Sequence, residues 1–162
     1  MNSDFKELLR IFGQERVRYL IVGGYAVAKH AEPRYTKDLD IWVDNSEENA
    51  ELVFKALNKF GAPLTNITAE DFTYPDIVFQ MGIEPSRIDI LMGVEVLTFN
   101  ECWERKSTAV IDGTEIYFVS IDDLILNKRA VARPQDMVDV ENLETKKRAQ
   151  STIDVTLPTV DQ

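Results

Sequence analysis

Thiol and imidazole side chains are nearly missing from this sequence: its 162 residues hold one cysteine, Cys102, and one histidine, His30. A single cysteine closes no internal disulfide, which suits a reducing compartment and points to the cytoplasm. With no second histidine to activate it, Cys102 has no route to nucleophilic catalysis, and beside Phe99 and Trp103 it reads as a packing residue. His30, alone near a predicted helix end, reads as a cap or surface group rather than a ligand. Long apolar runs are missing too. Residues 1–10 carry Asp4, Lys6, Glu7 and Arg10 in place of a secretory leader's apolar stretch, and no later run reaches the roughly 20 residues needed to cross a bilayer. Positive charge is in short supply: 18 Lys and Arg against 28 Asp and Glu leave a net charge of −10. So acidic a surface repels phosphate backbones at long range, which argues against nonspecific binding of nucleic acid. It does not exclude a nucleotide, because a divalent cation bridges carboxylates to phosphates.

What is present suits a folded domain. Hydrophobic residues make up 44% of the chain and charged residues 28%, enough for one buried core. That domain is expected over residues 1–150, followed by an extended or disordered tail over 151–162, where helical periodicity stops. Ser3 is the predicted cap of a first helix with Phe5, Leu8, Leu9 and Phe12 on one stripe and Gly13 as its stop. Residues 18–22 form a short apolar strand, then Gly23-Gly24 leads into a brief helix over 25–31 that ends before Pro33. Residues 37–43 alternate, with Leu39, Ile41 and Val43 on one face and Asp38, Asp40 and Trp42 on the other. Ser46 caps a helix that Gly61 ends. Residues 76–81 and 87–91 are strand-like, 98–105 suit a short helix, and Asp112-Gly113 joins a hairpin. Ser120 and Asp123 open a helix to about residue 132, and Pro134 begins another. Lys146, Lys147 and Arg148 fall at the predicted C-terminal end of that last helix, where basic charge suits the dipole. The architecture is α+β: a small twisted mixed sheet flanked by helices.

The chemistry concentrates in residues 22–43. Period-two geometry puts Asp38 and Asp40 on one strand face, and two carboxylates that close stay ionised together only beside a cation. Glycines at a strand-to-helix junction let backbone N–H groups approach phosphate oxygens at the positive end of the helix. Asp89, flanked by Ile88 and Ile90, supplies a third carboxylate if its strand neighbours that of Asp38 and Asp40. Three converging carboxylates suit a two-metal site, with ions roughly 3.5–4 Å apart on the attacking and leaving oxygens. The Thr36 hydroxyl beside them is a candidate phosphate contact. Arg34 either contacts phosphate or holds the loop before the strand.

This run, Gly-Gly after a strand, a short helix, Arg-x-Thr-x-Asp-x-Asp and a distant apolar-Asp-apolar strand, resembles the DNA polymerase β-type nucleotidyltransferase superfamily. Within it, the pattern is similar to the abortive-infection type toxin nucleotidyltransferases and their small uncharacterised relatives. Residues 119–128 and 133–139 resemble the later helical segment of that family, so the likeness spans roughly residues 19–143. It implies that Asp38, Asp40 and Asp89 bind metal (Mg²⁺ or Mn²⁺), that Gly23 and Gly24 contact phosphate, and that Lys128 contacts the triphosphate. Asp136 and Asp139 fall near the family's last acidic position, with no choice between them, and Arg133 with Asp136 also reads as a local ion pair. Asp38, Asp40 and Asp89 are the expected catalytic set, with Asp89 the candidate base or second-metal ligand.

The expected activity is transfer of a nucleoside monophosphate from a nucleoside triphosphate to a hydroxyl. The acceptor is a tRNA end, a protein side chain or a small molecule, and no membrane is involved. The chain has few helices after its sheet, so its acceptor site is either minimal or supplied by a partner. The alternative is a nucleotidyltransferase-like binding module that acts through a cognate protein partner, as one half of a toxin–antitoxin pair.

Overall fold

Apolar content decides where each strand sits. Tyr19–Val22 is apolar at every position, is buried on both faces and takes the interior of the sheet as β1. The computed structural model describes residues 1–156, with side chains through residue 152. Asp38–Val43 (β2) pairs antiparallel to β1 and puts Leu39, Ile41 and Val43 into the core, as its alternation dictates. Val78–Met81 (β3) and Arg87–Leu91 (β4) extend the sheet beyond β2, and Ser107–Ile111 (β5) and Thr114–Phe118 (β6) extend it beyond β1. The order is β3-β4-β2-β1-β6-β5, with β4 parallel to β2 and β6 parallel to β1, so the sheet is mixed. The turn between β5 and β6 holds Asp112 at φ 49° and Gly113 at φ 79°, the left-handed pair that a tight hairpin requires.

Capping side chains set the helix starts. Ser46 accepts from the Asn49 amide to open Glu47–Phe60 (α3), and Gly61 closes it at φ 93°. Ser120 accepts from the Asp123 amide to open Ile121–Val131 (α5), which ends at Ala132 in a left-handed turn. Ser3–Gln14 (α1) is capped by Asn2, not by the expected Ser3, since the Asn2 side chain accepts from the Phe5 amide at 3.0 Å. Asparagine caps as well as serine, and one residue of register decides between them. Gly13 lies inside α1, and Arg16 (φ 59°) takes the left-handed turn in its place.

Gly23–His30 (α2) lies against β1 and β2 and meets α5 and the last helix, Pro134–Thr156 (α6). That last helix runs past the expected boundary at residue 150, so the first part of the expected tail is helical. Residues 157–162 lie outside the described residues. Lys146, Lys147 and Arg148 therefore sit within the helix, where Lys147 pairs with Asp122 and Arg148 with Glu144. A one-turn segment, Ala69–Thr73, has no apolar periodicity to announce it. It is fixed by a Thr68–Asp71 capping box and buries Phe72. Phe99–Glu104 (α4) brings Phe99 edge-on against Trp42, ring centroids 5.1 Å apart. Trp42 shares the aspartate face of β2 yet is buried for that reason. No helix among the described residues is long and apolar enough to cross a membrane.

Candidate active site

Two glycines bring backbone, carboxylate and loop into one corner. Gly23 has φ +66°, and a Cβ there would lie 2.2 Å from Oδ2 of Asp40. A Cβ on Gly24 would lie 2.5 Å from Oγ1 of Thr36 and 3.2 Å from Nη2 of Arg34. Both positions are closed to any side chain, so the junction packs directly on the segment carrying the aspartates. Val22 occupies the cap position of α2 and has no capping oxygen, so the first-turn amides lack a side-chain acceptor. Gly23→Ala is expected to lower stability by about 1–3 kcal/mol and the melting temperature by several degrees, because alanine meets both the positive φ and the Asp40 carboxylate. Thermal denaturation checks this, and an unchanged melting temperature would show that the corner has room.

The parallel pairing of β2 with β4 sets Asp40 opposite Asp89 and Asp38 opposite Arg87. Asp40 and Asp89 thus share a face, as alternation on both strands requires. Burial, then the Asp89 and Asp38 charges and a hydrogen bond with Asp89, push the Asp40 carboxyl up to about 7. Arg87 forks onto Asp89, with Nε donating to Oδ1 and Nη2 to Oδ2, each at 3.1 Å. Oδ1 of Asp38 is buried with no hydrogen-bond partner. Among the described residues no three His, Cys, Asp or Glu side chains come close enough together to hold a metal ion as they stand. The donors are nonetheless of the kind a hard divalent cation takes: Asp40 beside Asp89 has raised proton affinity, and Asp38 carries an orphaned oxygen.

The facing wall comes from α5 and α6. Lys128 is 5% exposed and is no ordinary surface lysine. Its Nζ lies 3.1 Å from Oδ1 of Asp136 and 2.9 Å from Oδ2 of Asp139, so both of the sequence's late acidic candidates bind it. Asp139, fully buried, also accepts from Arg34 Nη2 at 3.2 Å and Gln135 Nε2 at 3.0 Å. Arg34 is therefore spent on Asp139. Asp136 accepts from the Arg133 amide and side chain. Burial alone would raise the Asp136 carboxyl, but hydrogen bonds from Arg133 and Lys128 outweigh it and hold it at about 2.

A cleft of about 710 Å³ joins the two walls, lined by Gly23, Asp40, Asp89, Lys128, Arg133 and Asp136 among others. Pro75, Val78 and Val96 give it an apolar edge. Thr36 does not line it. Its hydroxyl donates to the Asp38 carbonyl at 3.3 Å and packs on Gly24, so it shapes the loop before β2. Arg87 was legible as a same-face neighbour of Asp89 two residues away, and sequence reasoning passed over it. His30 stands outside the site, its Nε2 2.7 Å from the Val119 carbonyl oxygen. Burial pushes the Cys102 thiol up to about 12, which leaves it inert.

The family described as "Nucleotidyltransferase of unknown function (DUF6036)" matches residues 3–153. None of the curated proteins compared matches the chain. Among solved structures, lincosamide antibiotic adenylyltransferase LnuA with lincomycin bound superposes with a TM-score of 0.60 at 16% identity, over 90% of this chain and 98% of that one. ANT(2")-Ia in complex with adenylyl-2"-tobramycin gives 0.57 at 16% identity, over 93% and 90%. A putative nucleotidyltransferase from Thermotoga maritima gives 0.55 at 16% identity, over 91% of each chain. At such identities the structures share the fold alone. It is the family match, over nearly the whole described chain, that makes this protein a member of that nucleotidyltransferase family.

Proposed function

We propose that the chain transfers a nucleoside monophosphate from a nucleoside triphosphate to a hydroxyl on a small molecule. The observation that carries this is the Asp40–Asp89 register across β2 and β4, beside the Gly23 corner and facing a basic wall across one cleft. Asp38, Asp40 and Asp89 would hold Mg²⁺ or Mn²⁺. When bound, such a cation neutralises the triphosphate and the charge that develops at phosphorus. The uncapped first-turn amides at Gly23 and Gly24 offer donors to phosphate oxygens. Arg133 and Lys128 add positive potential to the opposite side of the cleft. Asp89, held by two hydrogen bonds from Arg87, would take the proton of the acceptor hydroxyl. The hydroxyl oxygen attacks the α-phosphorus, the bond from that phosphorus to the bridging oxygen breaks, and pyrophosphate leaves.

A small-molecule acceptor is favoured over tRNA by the net charge of −10 and by the apolar edge at Pro75, Val78 and Val96. The structural neighbours that hold lincomycin and an adenylylated tobramycin point the same way. One observation favours the second reading, a module that works through a cognate protein partner. Leu126, Met137 and Val138 leave about half of their surface exposed on α5 and α6. Calorimetry with ATP, CTP, GTP and UTP, with and without Mg²⁺, separates the two. Micromolar binding of at least one nucleotide that disappears with EDTA is expected, and silence from all four would sink the transferase reading.

A further inference from the structure

The geometry points to Arg133, not Lys128, as the side chain that grips the triphosphate, with Lys128 serving to hold the platform under it. This assignment rests on the nucleotidyl-transfer reading above and revises the role that resemblance gives to Lys128.

An ammonium group has three donors and one charge to offer. Lys128 Nζ is already set between the Asp136 and Asp139 carboxylates, and its side chain is 6% exposed. That leaves one donor, and turning the group towards a phosphate would loosen its hold on two buried anions, one of them wholly enclosed. Arg133 is in the opposite position. Its side chain is 72% exposed and lines the same cleft as Asp40 and Asp89. Nε donates to Oδ2 of Asp136 at 2.7 Å and Nη2 to Oδ1 at 3.3 Å. Those bonds occupy one edge of the guanidinium and fix its plane, and Nη1 meets no protein group among the described contacts. A planar fork with free donors matches phosphate oxygens better than a point charge does.

The charges agree. Arg34, Lys128 and Arg133 set three cations against the carboxylates of Asp136 and Asp139. The excess positive charge is best solvated, and best presented, on the exposed member. Arg34 serves Asp139, Lys128 serves both aspartates, and Arg133 is the outlet of the cluster into the cleft.

Titration of the full chain in Mg²⁺ with its preferred nucleoside triphosphate and with inorganic tripolyphosphate tests this on Arg133→Gln, Arg133→Lys and Lys128→Met. Arg133→Gln is expected to weaken both ligands roughly 10- to 100-fold, the loss of charge-assisted hydrogen bonds to phosphate. Its melting temperature should stay within a few degrees of native, because the side chain is largely exposed. Arg133→Lys should recover part of the affinity. Adding Lys128→Met to Arg133→Gln should cost tripolyphosphate no further affinity, which a direct Lys128 contact would. Where Lys128→Met does not fold at the assay temperature, the two Arg133 variants decide alone. Native-like tripolyphosphate affinity in Arg133→Gln overturns this assignment and leaves the transferase reading standing. A native chain that binds none of the four nucleotides overturns both.

Discussion

Asp40→Asn is expected to melt higher than the native chain at pH 8 without divalent metal, and to transfer no nucleotide. The carboxyl of Asp40 sits at about 7 in the fold against 3.8 for an ordinary aspartate. A raised acid binds its proton more tightly folded than unfolded. Its contribution to stability is thus fully present below pH 4 and is lost as pH rises through 7. At pH 8 the folded chain carries a buried charge beside Asp89 and Asp38 that the unfolded chain carries in water. Each unit of difference is worth 1.36 kcal/mol, so about three units set an upper bound of about 4 kcal/mol. Even half of that is about 4–8 °C in a domain of this size. Asparagine keeps the shape and a hydrogen bond to Asp89 without the charge. Native and variant should melt together near pH 4 and diverge steadily towards pH 8. Mg²⁺ should stabilise the native chain and leave the variant where it was. Loss of transfer by about 10³ or more follows if a cation held there supplies several kcal/mol at the transition state. A variant that melts below native at pH 8 in EDTA would show that Asp40 bears no such repulsion.

Lys128→Met should have the second-largest effect, and on stability. It leaves Asp136 and Asp139 buried with arginines as their only cationic partners, and breaking a buried ion pair from one side destabilises by about 3–5 kcal/mol. The remaining bonds from Arg133 and Arg34 soften this, so a fall of about 10 °C in melting temperature is expected. Arg129→Ala makes the control. Arg129 lies one residue on, pairs with Glu144 and is half exposed, so its loss should matter by less than about 1 kcal/mol. Equal effects from the two would mean that burial around Lys128 carries no weight.

Why the meeting of Asp40 with Asp89 is legible in the sequence, and the burial of Lys128 is not, is a matter of range. Asp40 meeting Asp89 follows from two short alternating strands and one pairing, and alternation is written into neighbouring residues. The glycine corner was equally readable as a feature, although its tight packing on Asp40 and Thr36 was not. Lys128 looks like any helical lysine because the partners that bury it come from elsewhere. Asp136 and Asp139 arrive on the next helix after a left-handed turn at Ala132, and Arg34 comes from a loop 105 residues before Asp139. Nothing local encodes that meeting. Thr36 fell on the right loop, but its hydroxyl turns to the backbone of Asp38. Trp42 follows the strand's alternation, and Phe99 packs on it edge-on from a helix no strand pattern could announce.

The order of elements along the chain sets when each part of the site leaves the ribosome. The glycine corner and the first two aspartates emerge early, Asp89 midway, and the basic wall only with α5 and α6. A nascent chain stopped before Pro134 would hold its carboxylates with no opposing Asp136-anchored arginine. Translation products lacking the last helix should therefore be inert as well as unstable.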